Sequence, residues 1–399
     1  MTPRISAAAL LLTLSACTTM TAAPPAQRTI PVSAGTTNPS EALRALFAQS
    51  DAASLRRNPI SALGRGDYEN AHRLGNSYSN DYDEAERVAA QADLAALRAI
   101  DRSALNPTDR LAYDVFGYQR ELDLSRLEPA LRALTRVRPI NHFSGVHSDY
   151  PILASGRSIA PFRNVDDYED NLSRHRQWGA MVDRIIVRFR EGLSSGVVDT
   201  KLTVRNMIEQ IDNLLRETPE DSTFTGPIRT FPEGVTMAER ERLKAAHLAS
   251  LKDDIRPAYQ RLRDFLRNDY LPRARDGAGL VHMQGGDLLY RRLILENTTL
   301  PLEADAVHQL GLREVARIRA EMETVKQRTG FTGTLKQFFD HLRTEPRFTP
   351  ATREWLRDRY YAIGRQVDEK IGTLFSHTPR SKLEIREVEA FRERGEAAG

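Results

Sequence analysis

Histidine spacing is the first test of whether this sequence can hold a catalytic metal. A zinc peptidase helix needs His-Glu-x-x-His, in which two ligands four residues apart flank a glutamate that activates water. None of the nine histidines is followed by glutamate, and no two are four residues apart. His142 and His147 are the closest pair, and they lie in an apparent loop. They would need a third donor, so we predict no metal ligand and expect them to form loop hydrogen bonds or line a cleft.

Glycine and charge patterns give no further catalytic residue. Gly64-Arg65-Gly66 and Gly277-Ala278-Gly279 lack the third glycine of a dinucleotide-binding turn and follow no predicted strand. The acidic run over 166–170 could hold a hard cation, but carboxylates beside a helix start also favour the positive end of its dipole. We predict the structural role for this run, and a solvated helix face for Arg174-His175-Arg176. A net charge of +3 from 57 basic and 54 acidic residues gives no indication of nucleic-acid binding.

The N-terminus predicts where the protein goes. Arg4 precedes an apolar run of ten residues, Ile5–Leu14, which is too short to span a bilayer and fits a secretory signal peptide. Leu14-Ser15-Ala16-Cys17 follows, and it resembles the lipobox of bacterial lipoproteins, whose cysteine is diacylated. The alternative is an ordinary signal peptide with an incidental cysteine. Thr18 is not the aspartate of inner-membrane retention, so we expect a lipid anchor in the outer membrane, facing the periplasm.

This reading divides the chain into three parts. Residues 1–17 are the predicted leader, with Cys17 as the lipidation site and the only cysteine. Because lipidation uses that thiol, no cysteine nucleophile remains. Residues 18–37 carry one charge and are rich in Thr, Ala and Pro, so we predict a flexible tether.

From residue 38 onward the apolar spacing predicts helices. Asn38-Pro39 and Asn106-Pro107 look like N-caps with proline at the first helical position, and Thr236 with Glu239 looks like a capping box. Apolar residues three and four apart predict half-buried stripes, each needing a neighbouring helix. These stripes are Leu111, Val115, Tyr118 and Leu122; Val182, Ile185, Phe189 and Leu193; Val204, Met207, Ile211 and Leu214; and Val307, Leu310, Val315, Ile318, Met322 and Val325.

The fold class is therefore mainly α: a large, irregular multi-helix domain over residues 38–399. At most one short strand is predicted, at about 382–389, where Leu383-Glu384-Ile385-Arg386-Glu387-Val388 alternates. An isolated strand is marginal in water, and no partner strand is evident upstream. The chain ends soon afterwards in a polar stretch. This suggests either a domain incomplete at its C-terminus or a frayed tail after a mistaken strand.

An ordered series of short motifs resembles a known family. The series consists of Asn141-His142-Phe143-Ser144-Gly145-Val146-His147, Tyr168-Glu169-Asp170-Asn171-Leu172, Gly285-Gly286-Asp287-Leu288-Leu289-Tyr290, Asn297-Thr298-Thr299, His308-Gln309-Leu310-Gly311-Leu312-Arg313-Glu314-Val315, Gly330-Phe331-Thr332-Gly333 and Arg343-Thr344-Glu345-Pro346-Arg347-Phe348. It is similar to the bacterial envelope lipoproteins of domain of unknown function 885 (DUF885). The resemblance covers about 38–399 and is most specific between Gly285 and Phe348.

The resemblance implies a deep cleft, like the helical half of a zinc-peptidase-like fold. It also implies a His-Glu metal motif in a C-terminal third, which this sequence does not reach. We therefore expect no cofactor in this chain and zinc only in a longer family member. Tyr290 and His142 stand at family-like positions and are candidates to line the cleft, together with His147. Tyr290 could equally pack in the core with its hydroxyl bonded nearby.

Two functions remain open. In the first, the chain is the N-terminal two thirds of a metal-dependent peptidase-like lipoprotein, inactive alone, with peptide as a possible substrate. In the second, it is a complete, non-catalytic helical lipoprotein that binds an envelope partner or ligand. A fragment should leave apolar side chains bare on a wide face, beyond the few hundred Å² usual for a monomer, whereas a complete domain should seal its core.

Overall fold

The computed structural model describes residues 38–388 and residue 393. The predicted leader, Cys17 and the predicted tether lie outside the described residues. The chain divides into two compact units, and the boundary in the sequence lies between Thr299 and Leu300. We call them unit 1 (described from residue 38 to Thr299) and unit 2 (described from Leu300 onward).

Fourteen α-helices form the described part of the chain, which confirms the predicted mainly α class. Unit 1 contains α1 (Pro39–Arg57), α2 (Pro59–Gly64), α3 (Asn80–Arg98), α4 (Pro107–Arg126), α5 (Pro129–Thr135), α6 (Val146–Ala154), α7 (Val165–Ser195), α8 (Lys201–Arg216), α9 (Met237–Ser250), α10 (Arg256–Asp264) and α11 (Gly286–Thr298). Unit 2 contains α12 (Ala304–Arg328), α13 (Leu335–Thr344) and α14 (Arg353–Leu374). Short 3₁₀ turns lie at Arg102–Ala104, Thr223–Ile228, Leu271–Arg273, Leu280–His282 and Pro346–Phe348.

Helix starts follow the predicted capping residues. The Asn38 side chain accepts a hydrogen bond from the Ser40 N–H, and Asn106 accepts one from the Asp109 N–H, both at 2.9 Å. Thr236 and Glu239 form both bonds of a capping box at the start of α9. Each bond satisfies an N–H group that has no partner inside the helix, so these three predictions are confirmed.

The core of unit 1 is built around α7. Val182, Ile185 and Phe189 on α7 are fully buried, as the predicted stripe required. The α8 stripe is buried as well, with Val204, Met207 and Ile211 at 0% exposure. α7 and α8 both pack against α10, and α7 also packs against α9. These four helices therefore form the centre of unit 1.

The prediction of a half-buried apolar stripe on α4 is wrong. Leu111, Val115 and Tyr118 are 65%, 52% and 40% exposed and do not face the core. α4 instead turns Tyr113 and Phe116 toward a cluster formed by α1, α3 and the α3–α4 connection. Two apolar faces compete on this helix, and the larger aromatic face is the one that α1 and α3 cover.

Unit 2 leaves much of its apolar surface exposed. Among its described residues, the buried apolar side chains are Leu335 and Phe338 of α13. The predicted stripe of α12 is largely exposed, with Leu310, Val315 and Val325 at 50%, 63% and 51%. These three residues contradict the half-buried face predicted for α12, because no described helix covers them.

The sequence allows at most one short strand, at about 382–389, and the structure forms none in the part of that segment it describes. Residues 382–388 are irregular and mostly exposed, and the structure describes no strand there. This segment lies against α14, where the Tyr361 hydroxyl donates to the Ile385 carbonyl at 3.2 Å. Without a partner strand to complete a ladder, the alternating pattern does not produce a sheet.

No helix in the described part of the chain is long and apolar enough to cross a lipid bilayer.

Candidate functional site

The helix that follows Thr236 contains two π-helical segments. α9 continues into a π segment (Leu251–Ile255), α10, a second π segment (Phe265–Tyr270) and the 3₁₀ turn Leu271–Arg273. Each π segment ends two residues before a proline, Pro257 or Pro272. A proline inside a helix removes one N–H donor and crowds the carbonyl four residues earlier, which accounts for both irregularities. Because π segments are frequent at functional sites, the residues around Leu251–Ile255 are the candidate site.

A buried polar network connects α7 to this first π segment. His175 Nδ1 lies 3.0 Å from Ser250 Oγ, and Ser250 Oγ lies 3.0 Å from Asp254 Oδ2. His175 is 0% exposed and Ser250 is 8% exposed, whereas Asp254 is half-buried. The network therefore runs from the protein interior toward the surface.

The hydrogen-bond partners fix the direction of this network. His175 Nε2 faces the Asn171 Nδ2 amide at 3.1 Å, and an amide nitrogen can only donate. His175 must then carry its proton on Nδ1 and donate it to Ser250, whose hydroxyl donates to Asp254. The same amide faces His247 Nε2 at 3.4 Å, and His247 Nδ1 donates to the Leu243 carbonyl at 2.9 Å. Both imidazoles are therefore neutral.

Burial keeps these imidazoles neutral. It holds the pKa of His175 well below its usual range, with His247 and Arg174 acting in the same direction. Burial also lowers the pKa of His247, although the bond to the Leu243 carbonyl opposes the shift. A charged imidazole would lose its hydration in this interior without gaining a carboxylate in direct contact.

This arrangement does not activate Ser250 as a nucleophile. A catalytic histidine must accept the serine proton, but His175 presents an N–H to Ser250. The contacts instead hold α7, α9 and the π segment in one relative position. We assign the cluster a positioning role within unit 1.

Arg174 extends the network inward. Its guanidinium donates to the Ala71 carbonyl through Nη1 and to Asn171 Oδ1 through Nη2, the latter at 3.2 Å. The side chain is 1% exposed. It thereby ties the segment before α3 to α7.

The predicted solvated face of Arg174-His175-Arg176 is therefore wrong for two of its three residues. Arg174 and His175 are buried, and only Arg176 is exposed. The two arginines beside His175 obscure a helical periodicity in the sequence. Buried positions recur at spacings of four and three, at Asn171, His175, Trp178, Val182 and Ile185. That register places His175 on the same stripe as the apolar core.

An aromatic layer joins the network to His147, one of the residues predicted to line a cleft. Tyr150 stacks on Trp178 with ring centroids 4.7 Å apart, and Trp178 packs against Tyr259 at 5.0 Å. The Tyr259 hydroxyl donates to the His147 carbonyl at 2.9 Å. Through these contacts α6, α7 and α10 share one packed centre.

His142 and His147 are brought together by Gln210 of α8. The Gln210 amide nitrogen donates to the His142 carbonyl at 2.8 Å, so its Oε1 faces His147 Nε2 at 3.2 Å. His147 lies on α6 and is 1% exposed, while His142 is half-buried in the loop and packs on Phe143. Burial lowers the pKa of His142. The cleft-lining role of this pair stays a prediction.

Tyr290 lies on another helix. It is 46% exposed on α11, and its neighbour Leu289 is the residue that packs into a core cluster with Leu134 and Val137. The structure thus places the Tyr290 side chain at the surface, and its contribution to a cleft also stays a prediction.

A Gly-x-Ser-x-Gly pattern occurs at Gly192–Gly196, where no catalytic residue was predicted. In α/β-hydrolases that pattern forms a sharp turn between a strand and a helix. Here it is the C-terminal end of α7, with Gly196 in the left-handed conformation and Ser194 Oγ donating to the Arg190 carbonyl at 3.1 Å. It is therefore a helix terminus.

Zinc, which the family resemblance implies for longer members, finds no matching donor set here. Among residues 38–388 the structure places no three His, Cys, Asp or Glu side chains where they could hold a metal ion together. His147 points its Nε2 at an amide oxygen, which further separates it from a ligand role. We derive no metal-dependent step from these residues.

Comparison with known proteins gives one family and one shared fold. The model of the family described as "Bacterial protein of unknown function (DUF885)" matches residues 59–399. The solved structure of "the putative lipoprotein from Colwellia psychrerythraea" superposes with a TM-score of 0.77 at 19% identity, over 90% of this chain and 64% of that protein. This chain therefore spans less than two thirds of the Colwellia protein. No curated protein matches it. Since the family model covers most of the sequence, the chain belongs to the DUF885 family of bacterial proteins.

Proposed function

We propose that this protein is a lipid-anchored component of the bacterial cell envelope. The support is the lipobox-like sequence ending at Cys17, together with a fold shared with a protein described as a lipoprotein. The threonine at position 18 favours the outer membrane, facing the periplasm. In this arrangement residues 18–37 would separate the lipid from the helical units.

We further propose that the helical units bind peptide and form part of a peptidase-like family hydrolase, without hydrolysing peptide alone. The observation that carries this proposal is the bare apolar face of α14. Leu356, Tyr360, Ile363, Val367 and Leu374 recur at helical spacing on that face and are 41%, 47%, 43%, 46% and 78% exposed. A stripe of this length ordinarily packs against another element. The Colwellia protein, of which this chain spans only 64%, has additional chain that could supply such an element.

The experiment is a hydrolysis and binding assay on the lipidated full chain in detergent. Quenched fluorescent peptides are mixed with the protein, with and without added zinc, and membranes from cells lacking the gene serve as the control. We expect saturable peptide binding and no turnover. Zinc-dependent turnover that co-purifies with the chain would overturn its inactivity. Absence of both binding and turnover would instead favour a non-catalytic protein that binds an envelope partner.

A further inference from the structure

A groove of about 620 Å³ opens on unit 1 between α3 and the α4–α5 region. Its volume falls in the range of ordinary ligand sites, roughly 300–1,000 Å³. Apolar side chains contribute Leu94, Ala95, Leu124, Leu127 and Pro129 to its lining. None of the residues that line the groove belongs to the buried network on α7.

One face of α3 forms one wall of the groove. Arg87, Gln91, Leu94, Ala95 and Arg98 line it, and they fall within a sector of about 100° around the helix at 100° per residue. Arg87 and Arg98 stand at the two ends of this row. At a rise of 1.5 Å per residue they are about 16 Å apart along the helix.

The opposite wall carries acidic groups. α4 runs antiparallel to the segment made of α3 and the 3₁₀ turn after it, because Asp93 of α3 pairs with Arg120 at 3.6 Å and Arg102 of the turn pairs with the earlier residue Asp114 at 2.6 Å. Higher residue numbers on α4 therefore face lower numbers on α3. Glu121 consequently lies at the Arg98 end of the groove and Glu128 at the Arg87 end, and both line the groove.

Each end of the groove thus offers one basic and one acidic side chain. At one end Arg98 and Glu121 are 3.5 Å apart, and their side chains are 68% and 63% exposed. Exposed pairs of this kind contribute little to stability, so their charges can be shared with a ligand at small cost. At the other end Arg87 bonds Gln91 at 3.0 Å and also pairs with Glu84.

We propose that this groove binds a short extended peptide of about five residues with free termini. An extended chain rises about 3.3 Å per residue, so about five residues match the 16 Å between the charged ends. The peptide carboxylate would meet an arginine and the ammonium a glutamate, in either orientation, while apolar side chains rest on the leucine-lined floor. The inference rests on the proposed peptide-binding role and gives it a location and a length.

The test is calorimetric titration of the full chain with the peptide Ala-Leu-Ala-Leu-Ala. We expect the form with free termini to bind roughly tenfold more tightly than the N-acetylated, C-amidated form, because blocking removes both terminal charges. Ala95→Arg places a long side chain in the groove and should weaken binding at least about tenfold. Ala96→Arg is the matched control on another side of α3, where Ala96 is likewise exposed, and should keep the affinity within about twofold.

The outcomes separate this inference from the proposed function. Binding that Ala95→Arg leaves unchanged would overturn the groove while leaving a peptide-binding protein. Absence of saturable binding would overturn both. Should Ala95→Arg not fold, Arg98→Gln at an exposed position replaces it. That variant should weaken binding of the peptide with free termini and leave binding of the blocked peptide unchanged. Equal effects on the two affinities would overturn the role of the terminal charges.

Discussion

The His175 imidazole lies 3.0 Å from the Ser250 hydroxyl, although 75 positions separate the two residues. Because Asn171 donates to the other ring nitrogen, His175 donates to Ser250, and the neutral ring links α7 to the π segment that follows α9. This hydrogen bond holds the two helical segments together in the interior of unit 1. Its energetic consequences can be measured.

Replacement of His175 by alanine should destabilise unit 1 strongly. The substitution leaves a cavity and removes partners from the buried Asn171 amide and Ser250 hydroxyl, so we expect a loss of about 3 kcal/mol. Trp178 and Trp355 are the two tryptophans, one in each unit. Urea unfolding is therefore followed by Trp178 fluorescence in a Trp355→Phe background.

Arg176→Ala is the matched control for this measurement, since Arg176 is the exposed neighbour of His175. It should change the free energy of unfolding by less than about 0.5 kcal/mol. Equal effects of the two substitutions would contradict the assigned role of the network.

Unit 1 should lose stability as the solution becomes acidic. The folded-state pKa values of His175 and His247 lie below the ordinary value of 6.5. Between 6.5 and those lower values the unfolded chain binds protons that the folded chain does not. Each histidine then lowers the free energy of unfolding by up to about 1.4 kcal/mol per pH unit.

The measurement compares urea unfolding at several pH values from 7.5 downward, which straddle the ordinary histidine pKa of about 6.5. A His247→Gln variant should have a shallower pH dependence than the natural protein, because one of the two protons is no longer linked to unfolding. Parallel pH profiles for the two proteins would show that His247 titrates alike in both states.

Membrane attachment should depend on Cys17. In Cys17→Ser the thiol that accepts lipid is missing, so we expect an unlipidated protein that leaves the membrane fraction. Fractionation with labelled palmitate measures both effects. Thr18→Asp is the companion variant, expected to keep the lipid but move the protein to the inner membrane. Undiminished membrane attachment of Cys17→Ser would show that the lipobox interpretation is wrong.

The bare face of α14 should tolerate charge. Ile363 and Val367 are 43% and 46% exposed, so Ile363→Lys with Val367→Lys should cost unit 2 less than about 1 kcal/mol and reduce binding of a hydrophobic dye. Phe338→Lys is the contrasting variant. Phe338 is 8% exposed, so a lysine there should disrupt the packing of α13 against α12 and destabilise unit 2. Thermal unfolding of both variants measures the two losses of stability. Equal destabilisation by the two changes would place the α14 face inside a core.

Burial of single residues was only partly predictable. The stripes of α7 and α8 are buried as expected, whereas Leu111 and Val115 of α4 are exposed. A stripe indicates that a face can be buried, but it does not identify the helix that will cover it. On α4 the Phe116 face competes, and α1 and α3 cover that face.

The sequence by itself determined the helical class, the family and the helix starts at Pro39, Pro107 and Met237. These depend on hydrogen bonds and periodicities within a few residues, which the order of amino acids specifies directly. Only the tertiary structure decided that His175 meets Ser250, that Gln210 joins His142 to His147, and that α3 and α4 leave a groove. The physical reason is that such contacts require segments far apart in the chain to pack together, and local spacing carries no record of which segments will meet.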